Sequence, residues 1–294
     1  MVGENRISSR IFDGINLVIL TAMALCSLLP LWYVLMVSIS DKAAVAGGLV
    51  GLLPVGFNLT SYQEIVKDPK FFSSFLISIQ RVLIGGITGV VCTILMAYPL
   101  SKSTKDFPQR NIFMWILVFC MLFNAGLIPW YLTIKQLGLM DTIWALALGG
   151  GFGVFNVILM VNFFRNLPKE LEEAALVDGA GPWYILIKLF IPISKPVIAT
   201  ISLFLAVGLW NEFFNGLILM SRPERYPLQT YIQQLVVKLD TATMTTEQLI
   251  TYSLLSNRSL NAAKIFIAMI PILIIYPFLQ RYFVTGITLG SVKE

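Results

Sequence analysis

Read from its N-terminus, the chain alternates long apolar stretches with short polar ones. A helix needs about 20 consecutive apolar residues to cross a hydrocarbon core of roughly 30 Å. Six runs reach that length, approximately 15–39, 73–100, 112–134, 142–164, 196–220 and 263–283. Their continuity predicts helices, because strands of a closed barrel alternate apolar and polar positions over about ten residues. The first run is longer than the apolar core of a secretory signal and lacks a small-residue cleavage site, so it is expected to remain as a spanning helix. Charge within the runs is sparse: Arg81 in the second, Glu212 in the fifth, and Lys264 and Arg281 at the edges of the sixth.

Polar punctuation divides these runs into segments. Residues 1–14 place Ile7, Ile11 and Phe12 at near-helical spacing among Arg6, Arg10 and Asp13, which fits a short interfacial helix or a frayed tail. Residues 40–72 carry Gly47, Gly48, Pro54, Gly56 and Pro69 and read as an outer loop with little regular structure. In the second run Gly85, Gly86, Thr88, Gly89 and Ala97 point either to close helix contact or to a hinge. In the third, Asn124, Gly126 and Pro129 predict an irregular backbone: a broken helix lining a cavity, or a proline kink satisfied by neighbouring helices. The organisation expected is a first spanning helix at 15–39, a core of five more spans at 73–283, and a tail at 284–294.

Composition agrees with lipid as the main solvent. Of the 294 residues 57% are hydrophobic and 13% charged, with mean hydropathy +0.79; a soluble domain carries about 25% charged residues. Lys102, Lys105 and Arg110 in the second connection outnumber Lys135 in the third, so the positive-inside rule places both termini in the cytoplasm. The net charge of +5 then needs no nucleic-acid partner. Cys26, Cys92 and Cys120 lie in three different runs, which does not describe a disulfide framework; they are expected to be small packing residues. The absence of histidine removes a Ser-His-Asp triad and the usual zinc-protease spacing. No Gly-x-x-x-x-Gly-Lys-[Ser/Thr] loop occurs, so any nucleotide that drives this protein must bind another chain.

The most charged stretch is 165–195, RNLPKELEEAALVDGAGPWYILIKLFIPISK. Asn166 is placed to cap a helix, Pro168 suits its first turn, and Glu170, Glu172 and Glu173 put negative charge toward its N-terminus. Gly179 and Gly181 supply the stop. A 3.6-residue period puts Leu167, Leu171, Ala174 and Ala175 on one face, with Lys169, Glu170 and Glu172 turned away. A helix of about three turns is unstable alone in water, so this stripe must bury against the chain itself, lipid or a partner.

Glu173-Ala174-Ala175, three residues, Gly179, nine residues and then Leu189-Phe190-Ile191-Pro192 resemble the EAA loop of membrane subunits of bacterial ABC importers. The family pattern ends Ile-x-Leu-Pro, so the departures are Leu189 and Ile191, swaps of similar volume. The segments Ser38–Asp41, Gly126–Pro129, Leu137–Leu139, Phe163–Phe164, Trp210–Phe213, Gln280–Tyr282 and Gly290–Lys293 resemble the carbohydrate-uptake branch. Pro227–Gln229 adds likeness to the subgroup for complex or acidic oligosaccharides, such as fragments of alginate, pectin or xylan.

That resemblance implies an all-α membrane protein with six transmembrane helices of the type I ABC importer permease fold, both termini cytoplasmic, in the bacterial cytoplasmic membrane. It implies a non-catalytic subunit pairing with a second homologous permease, two ATPase subunits that hold ATP and Mg, and an extracytoplasmic solute-binding protein. No cofactor is expected on this chain. Glu173, Ala174, Ala175, Asp178, Gly179 and Pro192 would form the joint to the ATPase. Polar and aromatic groups suited to sugar hydroxyls and flat CH faces are Asn124, Trp130, Tyr131, Asn156, Asn211 and Glu212; for each Asn an interhelical hydrogen bond is the rival role. Residues 221–262, with Tyr226, Tyr231, Tyr252, Arg222, Arg225 and Arg258, are either a docking surface for the binding protein or a solvated connection. The tail reaches the ATPases or frays. Rival functions are an importer for a non-sugar solute, an ion-coupled secondary transporter and, less in keeping with the missing histidines, a membrane-embedded enzyme.

Overall fold

A computed structural model describes residues 7–123, 125–237 and 258–291. Among them every regular element is helical. Among the described residues three helices are long and apolar enough to cross a membrane unbroken, at 11–38, 69–101 and 258–277. Two bent pairs add up to two more spans: Arg110–Leu122 with Leu127–Gln136, and Pro182–Ile193 with Lys195–Asn211, the latter bent by 79°. The apolar runs were therefore legible, but half of them are not single rods.

The chain divides into two compact units. The first comprises residues 1–69 and 235–269. Its helix α1 (Ile7–Ser38) starts within the segment expected to be a separate interfacial helix or frayed tail and continues without interruption into the first span. The outer loop 40–72 is more ordered than its glycines and prolines suggested, holding α2 (Lys42–Ala46) and α3 (Thr60–Val66). Asp41 caps α2 through its carboxylate on the Ala43 amide at 3.0 Å. Met36, Val37, Ala44, Val45, Val50 and Ala262 form the apolar cluster. Polar links fix it: Ser38 to the Tyr62 hydroxyl at 2.7 Å, Ser61 to Ser259 at 2.9 Å, and Lys264 to Asp68 at 2.8 Å. Lys264 is buried, so the Asp68 partner offsets what would otherwise be a costly cation.

The second unit, residues 70–234 and 270–294, carries the features of functional interest. Helix α4 (Pro69–Ser101) is continuous through its glycines. A Cβ at Gly85 would meet Leu209 Cδ1 at 2.9 Å and the Ala147 carbonyl at 3.0 Å, and one at Gly89 would collide with the Gly151 carbonyl. Gly86 faces open space. Two of the three glycines thus serve close approach.

Helix α5 (Arg110–Leu122) and α6 (Leu127–Gln136) are separated at Gly126, whose φ of 85° only glycine adopts readily. This is the broken helix rather than the kink, and Pro129 sits in the first turn of α6, where its missing N–H costs nothing. The fourth run is cut into α7 (Ile143–Leu148) and α8 (Val154–Arg165) by Gly149, Gly150, Gly151 and Gly153. After α9 (Lys169–Val177) and α10 (Pro182–Ile193), α11 (Lys195–Asn211) stops at Glu212 and α12 (Phe214–Leu219) restarts, splitting the fifth run. Helix α13 (Leu228–Val237) follows, then α14 (Arg258–Ser291), so helix persists through most of the segment expected to be a tail. Among the described residues apolar clusters form around Ala97, Met160, Phe164, Phe190 and Ile201 and around Ile134, Leu146 and Leu219.

Cys26, Cys92 and Cys120 are exposed, not packing residues as their apolar surroundings suggested. In an apolar run a small residue can equally face outward, because lipid and protein interior reward the same side chains.

Candidate functional site

The loop helix α9 begins at Lys169 with Pro168 as its N-cap; Asn166, the expected cap, instead ends α8. Its C-terminus follows from the sequence in detail. Asp178 is the C-cap, Gly179 has φ 78°, the Gly179 amide donates to Leu176 and the Ala180 amide to Ala175 at 2.9 Å. This is a Schellman closure, with Ala175 and Ala180 both resting on the apolar cluster beneath.

The periodicity misassigned one face. Glu172, expected to point away, is half-buried and pairs with Lys102, whereas Leu171 is exposed. The pull of a cation beneath the helix outweighed the apolar stripe. Glu173 and Ala174 are exposed, as are Leu176 at 54% and Val177 at 87%. Pro192 lies on the last turn of α10, exposed.

Lys102, just beyond the end of α4, is the anchor. Its ammonium lies 4.0 Å from the Tyr98 ring centre and 4.6 Å from that of Phe190, a cation–π arrangement added to its ion pair with Glu172. Tyr98, Phe164 and Phe190 pack edge to face, with centroids 5.2–6.4 Å apart. Arg165 donates to the Leu100 carbonyl at 3.1 Å and Arg110 to the Lys102 carbonyl at 3.3 Å, supplying cations where the C-terminus of α4 leaves carbonyls unpaired. The Lys102 side chain therefore ties the amphipathic helix to the end of the long helix α4.

A second polar cluster lies within the apolar region. Arg81 is fully buried. Its Nε donates to the Leu146 carbonyl at 3.1 Å, its Nη1 to the Glu212 carbonyl at 2.7 Å, and its Nη2 to the Glu212 carboxylate. The other carboxylate oxygen accepts from the Asn215 amide at 2.7 Å. Glu212 thus faces protein, its partner being the one charge of the second run.

The remaining pathway candidates are dispersed. Trp130 and Tyr131 are half-buried against the cluster of Ile134, Leu146 and Leu219. Trp130 also borders, with Phe123, Pro129 and Thr133, a hollow of about 450 Å³ beside the α5–α6 break. Asn156 is buried in the first turn of α8, and Asn211 is exposed at the end of α11. Asn124, Tyr252 and most of the segment 221–262 beyond residue 237 lie outside the described residues.

One polar knot had no sequence signal. Asp141 adopts φ 59°, uncommon for a non-glycine residue. Its carboxylate accepts from the Ser221 hydroxyl and from the Ser221 amide at 2.7 Å, and its carbonyl accepts from Arg225. The Ser221 hydroxyl, then the amide, hold this carboxyl below the usual carboxylate range.

The family model described as binding-protein-dependent transport system inner membrane component matches residues 1–289. The chain belongs to that family. The permease is 37% identical over 290 residues to Protein LplC of Bacillus subtilis (strain 168), covering 99% of this chain and 97% of that protein. It is 35% identical over 285 residues to the polygalacturonan/rhamnogalacturonan transport system permease protein YtcP of the same organism, covering 97% and 99%. A chain of the crystal structure of a bacterial ABC transporter involved in the import of the acidic polysaccharide alginate superposes with TM-score 0.84 at 37% identity, over 95% of this chain and 98% of that one. The permease therefore has the all-helical type I ABC permease fold and is a multi-pass inner-membrane transport component, not an enzyme. These are the fold family and the role that the EAA-loop resemblance implied.

Proposed function

We propose that this permease forms one half of an ATP-driven import pathway for acidic oligosaccharides. It has six spans, both termini are cytoplasmic, and α9 is seated on a partner ATPase that binds ATP and Mg. A second, homologous permease completes the pathway and an extracytoplasmic binding protein delivers the sugar. One observation carries the mechanical part: α9 is clamped on one face by Lys102 and by Ala175 and Ala180 resting on the apolar cluster, while Glu173, Leu176 and Val177 are left uncovered. Exposed apolar groups rimmed by charge on a short amphipathic helix suit a protein groove. Glu173 would pair across that groove, Ala174 would permit close contact, and Gly179 fixes the turn that returns the chain to the membrane.

The kinship with permeases named for acidic polysaccharides supports the substrate class. Cycling requires that each nucleotide state favour a different arrangement of the membrane halves, which a rigid link from α9 into α4 can transmit.

The test is co-purification of the ATPase and oligosaccharide-stimulated ATP hydrolysis by the reconstituted complex, comparing wild type with Val177→Asp and Glu173→Lys. Both positions touch nothing in the apolar core, so each variant is expected to fold yet lose ATPase binding. Retention of full coupled activity by both would refute docking through α9. Alginate and galacturonate oligosaccharides are expected to stimulate hydrolysis and neutral maltooligosaccharides are not; the reverse order would refute the substrate class.

A further inference from the structure

We propose that Arg81 and Glu212 are positioning residues for transport: they terminate two discontinuous helices within the apolar region and so hold the Asn211–Phe214 segment at the solute path. The last clause rests on the import function proposed above and takes Asn211, one of the pathway candidates, to line that path.

A helix that stops leaves its final carbonyls unpaired, and one that starts leaves its first amides unpaired. At membrane depth water does not satisfy them, so broken helices persist only where protein groups or a water-filled cavity take over. The breaks at the end of α7 and between α11 and α12 pose this problem twice. Arg81 answers at both, its guanidinium reaching the Leu146 carbonyl near the end of α7 and the carbonyl of Glu212, the C-cap residue of α11. Glu212 answers for the restart, its carboxylate receiving the Asn215 amide in the first turn of α12.

The two side chains then neutralise each other through the remaining carboxylate oxygen. Only a planar fork of several donors serves three acceptors in fixed directions, which a lysine ammonium does not. Gly85, one turn further along α4, keeps the backbones close enough for this, since a Cβ there would strike Ala147 and Leu209.

Accessibility separates holding from contacting. The Arg81 side chain is 0% exposed and that of Glu212 27% exposed, whereas Asn211 is exposed and Phe213 and Phe214 are 37% and 45% exposed. Carbohydrate would meet the amide and the rings; the ion pair behind them sets where they stand.

The experiment uses the assembled complex with its binding protein and an alginate oligosaccharide as probe, comparing wild type with Glu212→Gln, Arg81→Met and the double variant Arg81→Met/Glu212→Gln. Assembly is scored by co-purification, and transport is scored beside basal ATP hydrolysis. Glu212→Gln keeps the shape of the cap and is expected to assemble. Its transport rate is expected to fall about tenfold or more, the scale of one charge-assisted hydrogen bond. The double variant removes both charges and is expected to stay impaired, because the backbone groups remain unheld.

Recovery in the double variant would show that the pair only cancels charge, and wild-type transport by Glu212→Gln would show that the cap does not matter; either overturns the proposal. Loss of assembly in Glu212→Gln would reduce the pair to folding and overturn it as well. Asn211→Ala and Phe214→Ala separate the two readings. If they leave transport unchanged, the path assignment fails and takes the proposal with it. If they impair transport while Glu212→Gln does not, the proposal alone fails.

Discussion

Adding one methyl group at adjacent turns of α4 is expected to have opposite effects. At Gly89 a Cβ would lie against the Gly151 carbonyl and 2.9 Å from Leu205 Cδ1. The first obstacle is backbone and cannot rotate away, so α4 must move off the glycine-rich break. Overpacking of this kind costs about 1–3 kcal/mol, and a backbone obstacle places it near the upper end. The better helix propensity of alanine returns about 1 kcal/mol. The net loss is about 2 kcal/mol, or roughly thirtyfold in the folding equilibrium.

At Gly86 nothing lies within 4 Å of the added atom, so Gly86→Ala should gain about 0.5–1 kcal/mol. The assay is the fraction of detergent-solubilised permease that remains monodisperse after a heating series, read beside transport. Equal stability of Gly86→Ala and Gly89→Ala would refute the close-contact reasoning. Loss of transport in Gly86→Ala at unchanged stability would favour a hinge instead.

Two further outcomes follow from the polar knots. Lys102→Met removes the ionic tie between α9 and the end of α4, a hydrogen bond of about 1.5–3 kcal/mol, and leaves the apolar contacts of Ala175 and Ala180 in place. The complex is expected to assemble and hydrolyse ATP with fewer oligosaccharides moved per ATP, and the exchange Lys102→Glu/Glu172→Lys to recover part of the coupling; undiminished coupling in Lys102→Met would exclude this route. Asp141, held below the ordinary carboxylate range, stabilises the fold at pH values above the unfolded value of about 3.9, and that contribution is lost as pH falls through its lower folded value. Asp141→Asn should therefore unfold more readily than wild type at pH 7, with the difference closing below about pH 4; a pH-independent difference would argue against the carboxylate.

The end of α9 was legible because stop signals are local: Gly179 has positive φ where this helix ends, and the sequence places it there. Its start was not, since Asn166 closes α8 and Pro168 is the N-cap. The inward face of α9 was not legible, because Lys102 lies 70 residues from Glu172 and periodicity counts a carboxylate as polar whatever awaits it. The six apolar runs were legible as lipid-compatible, yet the breaks at Gly149–Gly153 and Glu212 were not. Hydropathy does not distinguish a continuous helix from two helices whose loose ends are satisfied by Arg81. That residue and Glu212 did leave a trace, as opposite charges each alone within its own run. Their pairing is a property of the fold, since 131 residues separate them.

The three exposed thiols turn an unmodified chain into its own topographic probe. Cys26, Cys92 and Cys120 ride on α1, α4 and α5 and none is committed to a disulfide among the described residues. A thiol reacts as the thiolate, which forms in water and hardly at all in hydrocarbon. Alkylation by a membrane-impermeant reagent therefore distinguishes a sulfur bathed in water from one facing lipid or a neighbouring subunit. Repeating it with and without nucleotide would record, position by position, which surfaces are wetted during the transport cycle.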